Sequence, residues 1–294
     1  MTGTIIKGIG GFYYVKCEDN QIFSCRARGK FRKDGQTPTV GDRVQIEVTD
    51  TQKCEGYVTQ IAPRKNCFFR PPVANIDMLL VTFSVSSPAP AFALIDKLTV
   101  TAMAQGVACG ICINKIELDR DSANHYTKEY EQAGFPVVAC SAKTGEGVDA
   151  LKALIQGKIT ALAGSSGVGK SSLLNAMGEQ FSLKTGAVSD KIQRGKHTTR
   201  HTELFPLSFG GFVFDTPGFG SFEIEKMMAQ ELSSLFPEIN RHAADCRFSG
   251  CSHITEPDCA VKEALARGKI GQNRYNSYCA LYDELKNIKT WQLP

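Results

Sequence analysis

The sequence lacks any apolar run that approaches the about 20 residues a helix needs to cross a bilayer. Its first residues also lack the basic start and the apolar stretch of a signal peptide. We therefore expect a cytoplasmic protein with no membrane partner. Internal repeats, low-complexity segments and an obvious dimerisation segment are absent too, which favours a globular monomer.

Charge of one sign is not in large excess, because 34 Lys and Arg face 30 Asp and Glu, a formal net charge of +4. The surplus is uneven: residues 1–70 hold twelve Lys and Arg against seven Asp and Glu, a net charge of +5. Most of the 11 cysteines are scattered singly in apolar surroundings, as small buried thiols are. Only Cys246, Cys251 and Cys259 cluster. The 294 residues and 42% hydrophobic content allow two or three domains with real cores.

Residues 4–62 show short alternating apolar runs separated by Gly, Asp and Asn turns. About five short strands in this length predict a small closed barrel of the oligonucleotide-binding (OB) type. The basic segment 26–33 places five cations beside one aromatic ring, and it reads Arg26-Ala27-Arg28-Gly29-Lys30-Phe31-Arg32-Lys33. This composition suits a phosphate backbone with a base stacked nearby, so nucleic-acid binding is favoured over a merely solvated surface.

Strand and helix patterns alternate over residues 76–222. Strands are predicted at 76–85, 107–113, 136–139, 159–163 and 212–214. Helices are predicted at 92–105, 121–133, 148–155 and 170–177. Motifs that carry chemistry follow several of the strands, which predicts a doubly wound parallel sheet with its ligand along that edge. The rest, 223–294, is helical by pattern around a Cys/His-rich interruption at 246–259, with helices predicted at 260–267 and 273–289.

A complete phosphate loop follows the strand predicted at 159–163, and it reads Gly164-Ser165-Ser166-Gly167-Val168-Gly169-Lys170-Ser171-Ser172. Its glycines let successive N–H groups face phosphates at the start of a helix. We expect Lys170 to reach the β- and γ-phosphates and the Ser171 hydroxyl to ligate Mg²⁺. Residues Asp215-Thr216-Pro217-Gly218 follow the strand predicted at 212–214. In a GTPase the equivalent of Asp215 holds Mg²⁺ through water, and the Gly218 N–H senses the γ-phosphate.

Two guanine-reading motifs precede these elements, Asn114-Lys115-Ile116-Glu117 and Ser141-Ala142-Lys143. The spacing of about 27 residues between them matches GTPases. Glu117 stands where an aspartate usually accepts hydrogen bonds from guanine N1 and N2. Its side chain is one methylene longer, and it can accept both hydrogen bonds if the loop lies further from the base. The Ala142 N–H is expected to donate to guanine O6. Ordinary GTPases have the phosphate loop first. Here both base-reading motifs precede the phosphate loop and the Asp215–Gly218 motif, which indicates a circular permutation that keeps the site and moves the termini.

A switch loop ordered by γ-phosphate and Mg²⁺ is predicted in segment 184–202, around Gly195-Lys196-His197-Thr198-Thr199-Arg200. Either Thr198 or Thr199 should supply the metal-ligating hydroxyl, and the sequence does not choose between them. Many GTPases orient the attacking water with a glutamine after the sensor glycine, but here the residue is Phe219. Intrinsic hydrolysis should therefore be slow. His197 is the candidate within the chain for positioning water, alongside Lys170 and Gly218 at the reacting phosphate.

A structural zinc site is predicted from Cys246, Cys251, His253 and Cys259, four ligands within fourteen residues. Four protein ligands leave no position for water, which indicates a structural rather than a catalytic metal. A reducing cytoplasm disfavours disulfides, and His242 is a weaker competing ligand. Further on, an apolar stripe is predicted to be core, and it contains Tyr275, Tyr278, Leu281, Tyr282 and Leu285.

Taken together, the permuted motif order, the Gly195–Thr199 and Asp215–Phe219 motifs, the barrel and the Cys/His cluster resemble the RsgA (YjeQ) family over essentially the whole chain. The resemblance implies an OB-type barrel at 1–68, a circularly permuted GTPase domain at 69–222 and a mostly helical zinc-binding domain at 223–294. It also implies a bacterial GTPase that binds rRNA, is stimulated by the small ribosomal subunit and acts late in that subunit's maturation. The implied cofactors are GTP or GDP, Mg²⁺ and one structural Zn²⁺.

Two other functions stay open at this point. The protein can be an RNA-anchoring factor whose nucleotide is mainly structural, which Phe219 is compatible with. Adenine specificity is a weaker idea, raised by Glu117.

Overall fold

The computed structural model describes residues 1–29, 31, 37–69, 72–178, 203–214 and 227–287. Several residues singled out by the sequence lie outside these ranges: Lys30, Arg32, Lys33, segment 184–202 with His197, Thr198 and Thr199, Asp215, Gly218 and Phe219. The chain divides into two units. One contains 1–78, 155–162 and the described stretch 203–214, and the other contains 79–154, 163–178 and 227–287. None of the helices in the described ranges has the length and hydropathy of a membrane span.

Five strands of the first unit form a closed barrel in the order β1-β2-β3-β5-β4. They are β1 (Thr2–Ile9), β2 (Phe12–Cys17), β3 (Ile22–Ala27), β4 (Arg43–Asp50) and β5 (Glu55–Ile61). Alternate residues such as Ile5, Val15, Phe23 and Val58 fill the interior, as the period-2 pattern requires. Strands β3 and β5 pair in parallel and the other neighbours are antiparallel. Register shifts in β1–β2 and β4–β5 add the local twist that a small barrel needs to close. The predicted barrel is confirmed.

A short hairpin that the sequence did not indicate follows the barrel, formed by β6 (Cys67–Phe69) and β7 (Pro72–Ala74). Three-residue strands carry too little alternation to be recognised. An ion pair fixes the chain before the hairpin: Arg64 Nε lies 2.7 Å from Oδ1 of the fully buried Asp42. Asp42 also accepts the Thr39 N–H at 2.7 Å, so its carboxylate is satisfied on both oxygens.

Three further strands belong to the first unit, β11 (Ile159–Ala163) except for its last residue, β12 (Leu204–Pro206) and β13 (Phe212–Phe214). Strand β11 pairs in parallel with β13, and β12 pairs antiparallel with β13. Just before β12, Glu203 forms a β-bridge with Lys7 of β1 and an ion pair with its Nζ at 2.7 Å. This contact ties the start of β12 to the barrel.

In the second unit, β8 (Met78–Ser84), β9 (Ala108–Asn114) and β10 (Val137–Ala139) lie in the order β10-β9-β8, with β9 and β10 parallel. Every residue of β8 is buried, which is typical of a strand covered on both faces. The helices are α1 (Phe92–Ala104), α2 (Arg120–Ala133), α3 (Val148–Ile155) and α4 (Lys170–Ala176). These bounds agree with the predicted ones to within two residues, and the α/β class of the central region is confirmed.

The C-terminal region is helical, as predicted. It contains a 3₁₀ helix (Ala229–Leu235), α5 (Pro237–Ala243), α6 (Ala260–Ala266) and α7 (Gln272–Lys286). On α7, Tyr278, Leu281 and Leu285 are buried, and Tyr275 and Tyr282 pack against the same cluster. The prediction that this stripe is core is therefore confirmed. The domain boundaries at 68/69 and 222/223 stay a prediction.

One fully buried cation, Arg274, anchors α7. Its Nη1 lies 2.6 Å from Asp96 Oδ1 of α1, and its Nε lies 2.7 Å from Glu238 Oε1 of α5. Burial alone would lower the pKa of Arg274, but the charges of Asp96 and Glu238 raise it above its ordinary value. The guanidinium also lies 4.5 Å from the ring centroid of Phe236. Arg274 therefore stays charged in the core and holds three helices together.

Candidate nucleotide site and metal centre

A single side chain, Asn114 at the end of β9, connects the three predicted nucleotide motifs. Its Nδ2 donates to the Val168 carbonyl of the phosphate loop at 2.9 Å. Its Oδ1 accepts the Ala142 N–H of the second base-reading motif at 3.1 Å. Asn114 is 1% exposed, so both hydrogen bonds lie in a protected environment. The structure thus brings together loops that are far apart in the chain.

The neighbouring Lys115 braces the phosphate loop. Its backbone takes the left-handed conformation at φ 63°, which turns the chain out of β9. Its Nζ donates to the Gly167 carbonyl at 2.8 Å and to the Ser87 carbonyl at 2.6 Å. Lys115 therefore fixes the phosphate loop against the segment that follows β8.

Two glycines of the phosphate loop have no room for a side chain. Gly164 has φ +139°, and a Cβ there would lie 2.0 Å from the Thr82 carbonyl oxygen. Gly169 has φ +97°, and a Cβ there would lie 2.3 Å from Asn114 Nδ2. Positive φ and the lack of space, beside a backbone carbonyl at Gly164 and beside the Asn114 side-chain amide at Gly169, thus require glycine at both positions.

Lys170 lies at the mouth of this loop, where α4 begins. Its Nζ donates to the carbonyls of Gly164 at 2.7 Å and Ser165 at 2.8 Å. An ammonium held by two carbonyl oxygens of the loop can exchange them for phosphate oxygens without leaving the loop. Ser171 and Ser172 are exposed on the first turn of α4, so the Ser171 hydroxyl is accessible to a cation. The other predicted Mg²⁺ ligands, Thr198 or Thr199 and Asp215, lie outside the described residues.

Glu117 fits a base reader in one respect. It lies in the 3₁₀ helix Ile116–Leu118, and its Oε2 is buried with no hydrogen-bond partner among the described residues. A buried carboxylate oxygen without a donor costs free energy, and guanine N1 and N2 carry the donors that would satisfy it. The extra methylene of Glu117 therefore does not prevent the chain from presenting an acceptor.

The second base-reading motif differs from expectation in one detail. The Ala142 N–H, predicted to face guanine O6, donates to Asn114 Oδ1. Ser141 is buried, its Oγ accepts the Thr144 N–H at 3.1 Å, and Lys143 is exposed. The motif is a tight turn fastened to Asn114, and the role of Ala142 toward guanine stays a prediction.

The predicted metal centre comes together in the C-terminal region. Single donor atoms of Cys246, Cys251, His253 and Cys259 all lie within 4.8 Å of one another. Cys246 Sγ is 3.5 Å from His253 Nδ1 and 3.8 Å from Cys259 Sγ, and Cys259 Sγ is 3.6 Å from His253 Nδ1. Zn–S bonds of about 2.3 Å and Zn–N bonds of about 2.0–2.1 Å in a tetrahedron require donor separations of this size. The residues therefore fit a tetrahedral zinc ion, and His242 is not part of the group.

Groups around these ligands hold the loop in shape. Glu256 accepts the Ser252 N–H at 2.8 Å and the Ser252 hydroxyl at 2.9 Å. Burial pushes the pKa of Glu256 upward, but these hydrogen bonds outweigh burial and lower it to about 2. Burial lowers the pKa of His253, which favours the neutral imidazole that a metal requires.

Two tyrosine hydroxyls of α7 donate hydrogen bonds to the loop that carries the metal ligands. Tyr275 OH donates to the His253 carbonyl at 2.7 Å, and Tyr278 OH donates to the Ser252 carbonyl at 2.9 Å. The sequence predicted these tyrosines only as core, and it did not indicate the supporting role of Glu256. The only indication of this role in the sequence was that tyrosines, which carry a hydroxyl group, stand on a stripe that is otherwise apolar.

Comparison with known proteins extends over the whole chain. A family model described as RsgA GTPase matches residues 61–225, and one described as RsgA N-terminal domain matches residues 2–58. The small ribosomal subunit biogenesis GTPase RsgA of Agathobacter rectalis is 47% identical over 98% of this chain and 99% of its own length. The protein of the same name from Ruminiclostridium cellulolyticum is 47% identical over 99% of this chain and 95% of its own length.

Solved structures agree with this similarity. The crystal structure of YjeQ from Thermotoga maritima matches with a TM-score of 0.82 at 34% identity, covering 98% of this chain and 99% of that one. The structure of YloQ, described as a circularly permuted GTPase, matches with a TM-score of 0.78 at 38% identity, covering 98% and 96%. The likeness thus includes the barrel, the nucleotide motifs and the Cys/His region.

Proposed function

The chain belongs to the RsgA GTPase family, and from this we propose that it hydrolyses GTP to GDP and phosphate during maturation of the small ribosomal subunit. We propose further that the small subunit stimulates this reaction and that the barrel binds rRNA. The observation that carries the proposal is the pair of hydrogen bonds by which Asn114 joins the phosphate loop to both base-reading motifs. A site assembled in this way presents the base-reading motifs to the base of a nucleotide and the phosphate loop to its phosphates.

In the proposed reaction, bound GTP draws Lys170 from the loop carbonyls to its β- and γ-phosphate oxygens. Glycine-permitted N–H groups of the loop hold the phosphates, and Glu117 accepts hydrogen bonds from the guanine. Mg²⁺ would be held by Ser171 with Thr198 or Thr199 and, through water, by Asp215, and it would neutralise charge on the phosphates. The Gly218 N–H contacts the γ-phosphate in this proposal.

Water positioning is the weak element of the isolated protein. Phe219 cannot orient water as a glutamine does, and His197 takes this role in the proposal. Contact with the assembled small subunit brings His197 into place, and GDP then lets the protein leave. Water positioning and charge stabilisation supplied by a partner raise the rates of other GTPases by about three to five powers of ten.

The C-terminal region has a structural part in this proposal. One Zn²⁺ held by the Cys246, Cys251, His253 and Cys259 set stabilises the loop, and the absence of a free ligand position excludes catalysis by that ion. The region then offers a fixed surface to the subunit.

The test is GTP hydrolysis by the purified protein, alone, with small subunits, and with large subunits as a control. We expect strong stimulation by small subunits only, abolished in Lys170→Ala and reduced in His197→Ala. Lys152→Ala, which changes a surface lysine of α3, is the matched control and should behave as wild type. A rate that no subunit changes would contradict the proposal.

That contrary result would favour the alternative function, an RNA-anchoring protein in which the nucleotide is mainly structural. The observation that favours this alternative is Phe219 in place of the glutamine. The two functions differ in whether binding to subunits depends on the γ-phosphate. Binding measured with GDP and with a non-hydrolysable GTP analogue separates them.

Guanine selection is tested by competition of GTP and ATP for the site. We expect GTP to win, because Glu117 carries the buried acceptor without a partner. Glu117→Ala should reduce the preference for guanine by about tenfold or more, since a buried donor pair on the base would then be unsatisfied. Equal binding of ATP and GTP by the wild type would support adenine tolerance instead.

A further inference from the structure

Each base-reading motif is followed by a charged side chain, and these two side chains meet. Arg120 is the first residue of α2, three positions after Glu117, and Glu146 comes three positions after Lys143. Arg120 Nη1 donates to Glu146 Oε1 at 2.9 Å, and Nη2 donates to Oε2 at 2.7 Å. Two parallel hydrogen bonds of this kind fix the orientation of both groups as well as their distance.

Arg120 is attached closely to the turn that carries Glu117. The 3₁₀ helix Ile116–Leu118 runs directly into Asp119, the residue before Arg120. Asp119 caps α2, because its carboxylate accepts the Ser122 N–H at 3.0 Å and the Ser122 hydroxyl at 2.7 Å. The cap joins the 3₁₀ helix to α2 without a flexible link, so a displacement of Arg120 displaces the Glu117 turn.

Glu146 is attached in the same way to the second base-reading motif. The Ser141 N–H donates to the Glu146 carbonyl at 2.9 Å, and the Gly145 N–H donates to the Ser141 carbonyl at 2.9 Å. These hydrogen bonds close segment 141–146 into a compact turn. A displacement of Glu146 therefore displaces the whole turn.

The two motifs are thereby connected at both ends. At the buried end, Asn114 Oδ1 accepts the Ala142 N–H at 3.1 Å, and Asn114 is 1% exposed. At the other end, the Arg120 and Glu146 side chains are 64% and 45% exposed. Glu117, whose buried Oε2 has no partner among the described residues, lies on the chain between these two connections. One buried and one exposed connection thus hold the groups that would read a base.

An exposed ion pair usually contributes little to the stability of a folded protein, because water and salt screen it. A bidentate arginine–carboxylate pair is an exception, since its geometry is well defined. The hydrogen bonds from Arg120 hold the pKa of Glu146 below its ordinary value, so the carboxylate is charged at neutral pH. Such a pair can keep two loops in their ligand-binding arrangement, which reduces the ordering that binding has to supply.

We propose that Arg120 and Glu146 are a positioning pair for the guanine pocket: they hold the two base-reading turns at the separation that guanine requires, and so set the affinity for guanine nucleotides. This inference rests on the proposed function, because it requires that the two motifs read a guanine. The phosphates belong to the loop 164–172, so the chemical step should not depend on the pair.

The test is binding of fluorescently labelled GDP to the full-length, zinc-loaded protein, followed by steady-state hydrolysis of GTP. We expect Arg120→Met and Glu146→Gln each to weaken GDP binding about fivefold, because the nucleotide must then order the turns itself. KM for GTP should rise by a similar factor while kcat stays unchanged, as happens when binding is lost equally from the ground state and the transition state. A general loss of structure would instead lower the midpoint of urea unfolding, which we expect to be unchanged in both variants.

A double-variant cycle separates the pair from its two members. The double variant Arg120→Met/Glu146→Gln should bind GDP no more weakly than either single variant, since each change already breaks the same pair. The charge-exchanged variant Arg120→Glu/Glu146→Arg should recover binding to within about twofold of wild type. The matched control is Arg267→Met, which breaks an exposed pair with Glu263 and should bind GDP as the wild type does.

Two results would overturn the inference. One is wild-type affinity for GDP in both single variants, which would make the pair an ordinary surface contact. The other is additive losses in the double variant without recovery on charge exchange, which would show that the two residues act separately. All of these measurements are made without ribosomal subunits, so the proposed stimulation by small subunits can hold while this inference fails. A wild type that binds no guanine nucleotide would contradict the proposed function itself, and this inference with it.

Discussion

The barrel and the C-terminal region achieve order by different means. Backbone pairs run around the five strands of the barrel, and an apolar interior fills it. The C-terminal region also buries an apolar cluster, but three of the four helices described there have only seven residues, and a Cys/His donor set and the buried cation Arg274 are added to the packing. The backbone hydrogen bonds between strands distribute stability over many bonds, whereas a group of metal ligands or a buried ion network concentrates it in a few side chains. Single substitutions should therefore be far more damaging in the C-terminal region.

The two regions also contain a matched pair of arginine–carboxylate contacts. Arg64 and Asp42 meet at 2.7 Å beside the barrel, and Arg274 and Asp96 meet at 2.6 Å under α7. The Arg64 side chain is 18% exposed, while Arg274 and Asp96 are both fully buried. Asp42 is fully buried as well, so water can solvate Arg64 when Asp42 is lost, whereas no group of the second site is within reach of water.

The largest effect is expected from loss of the zinc ligands. Cys259→Ser, or removal of the metal by a chelator, should unfold the C-terminal region and leave the barrel folded. Zinc binding contributes about 10–16 kcal/mol in zinc-finger peptides, as much as the whole stability of an ordinary domain. Zinc content and region-resolved hydrogen exchange measure the two outcomes.

The matched control for that experiment is Cys279→Ser, because Cys279 lies on α7 and is not among the four clustered donors. It should keep a full equivalent of zinc. Equal exchange protection in the C-terminal region with and without metal would show that the ion is dispensable, and would remove the main difference between the two regions.

The next largest effect is expected from Arg274→Met. This change leaves Asp96 and Glu238 as buried, unpaired carboxylates, and removing one partner of a buried pair costs about 3–5 kcal/mol. Urea unfolding followed by region-resolved hydrogen exchange should show the loss around α7. Arg267→Met breaks only the exposed pair with Glu263 and should stay within about 0.5 kcal/mol of wild type. Similar losses of unfolding free energy in both variants would contradict the view that a few side chains hold this region together.

A smaller effect is expected from Asp42→Ala beside the barrel. The change leaves the Thr39 N–H and the Arg64 guanidinium without their acceptor, at a cost of about 1–3 kcal/mol. Partial exposure lets water solvate Arg64, so the cost should be below that of Arg274→Met. Asp50→Asn, in an exposed pair with Lys53, serves as the reference in the same urea experiment. A larger loss for Asp42→Ala than for Arg274→Met would reverse the comparison.

The smallest change in stability is expected from Glu47→Gln. Glu47 pairs with Arg28 at an exposed position, and such pairs contribute about 0–1 kcal/mol. RNA affinity should rise slightly at low salt, because Arg28 becomes available to phosphate and a negative charge leaves the outer surface of the barrel. An unchanged affinity for RNA, measured by fluorescence anisotropy in low salt, would place Arg28 and Glu47 outside the RNA-binding surface.

Much of the nucleotide site could be recognised before any fold was known. The phosphate loop and both base-reading motifs each contain their residue types at short spacing, and each follows an apolar strand. The zinc ligands were recognisable for the same reason, since all four lie within one short stretch. The hairpin β6–β7 and the support of the metal loop by Glu256 left no comparable local signal.

The sequence by itself determined the types of the secondary-structure elements, the order of the motifs and the groups of ligands that are close in sequence. All of these depend on residues near one another in the chain, so periodicity and short spacing reveal them. Only the tertiary structure decided which distant groups meet. Arg274 and Asp96 are 178 residues apart, and Asn114 and Val168 are 54 apart. The strand register of the barrel likewise places Phe12, Arg26 and Tyr57 side by side. Such pairings follow from how the chain closes on itself, and no local pattern of residues encodes that closure.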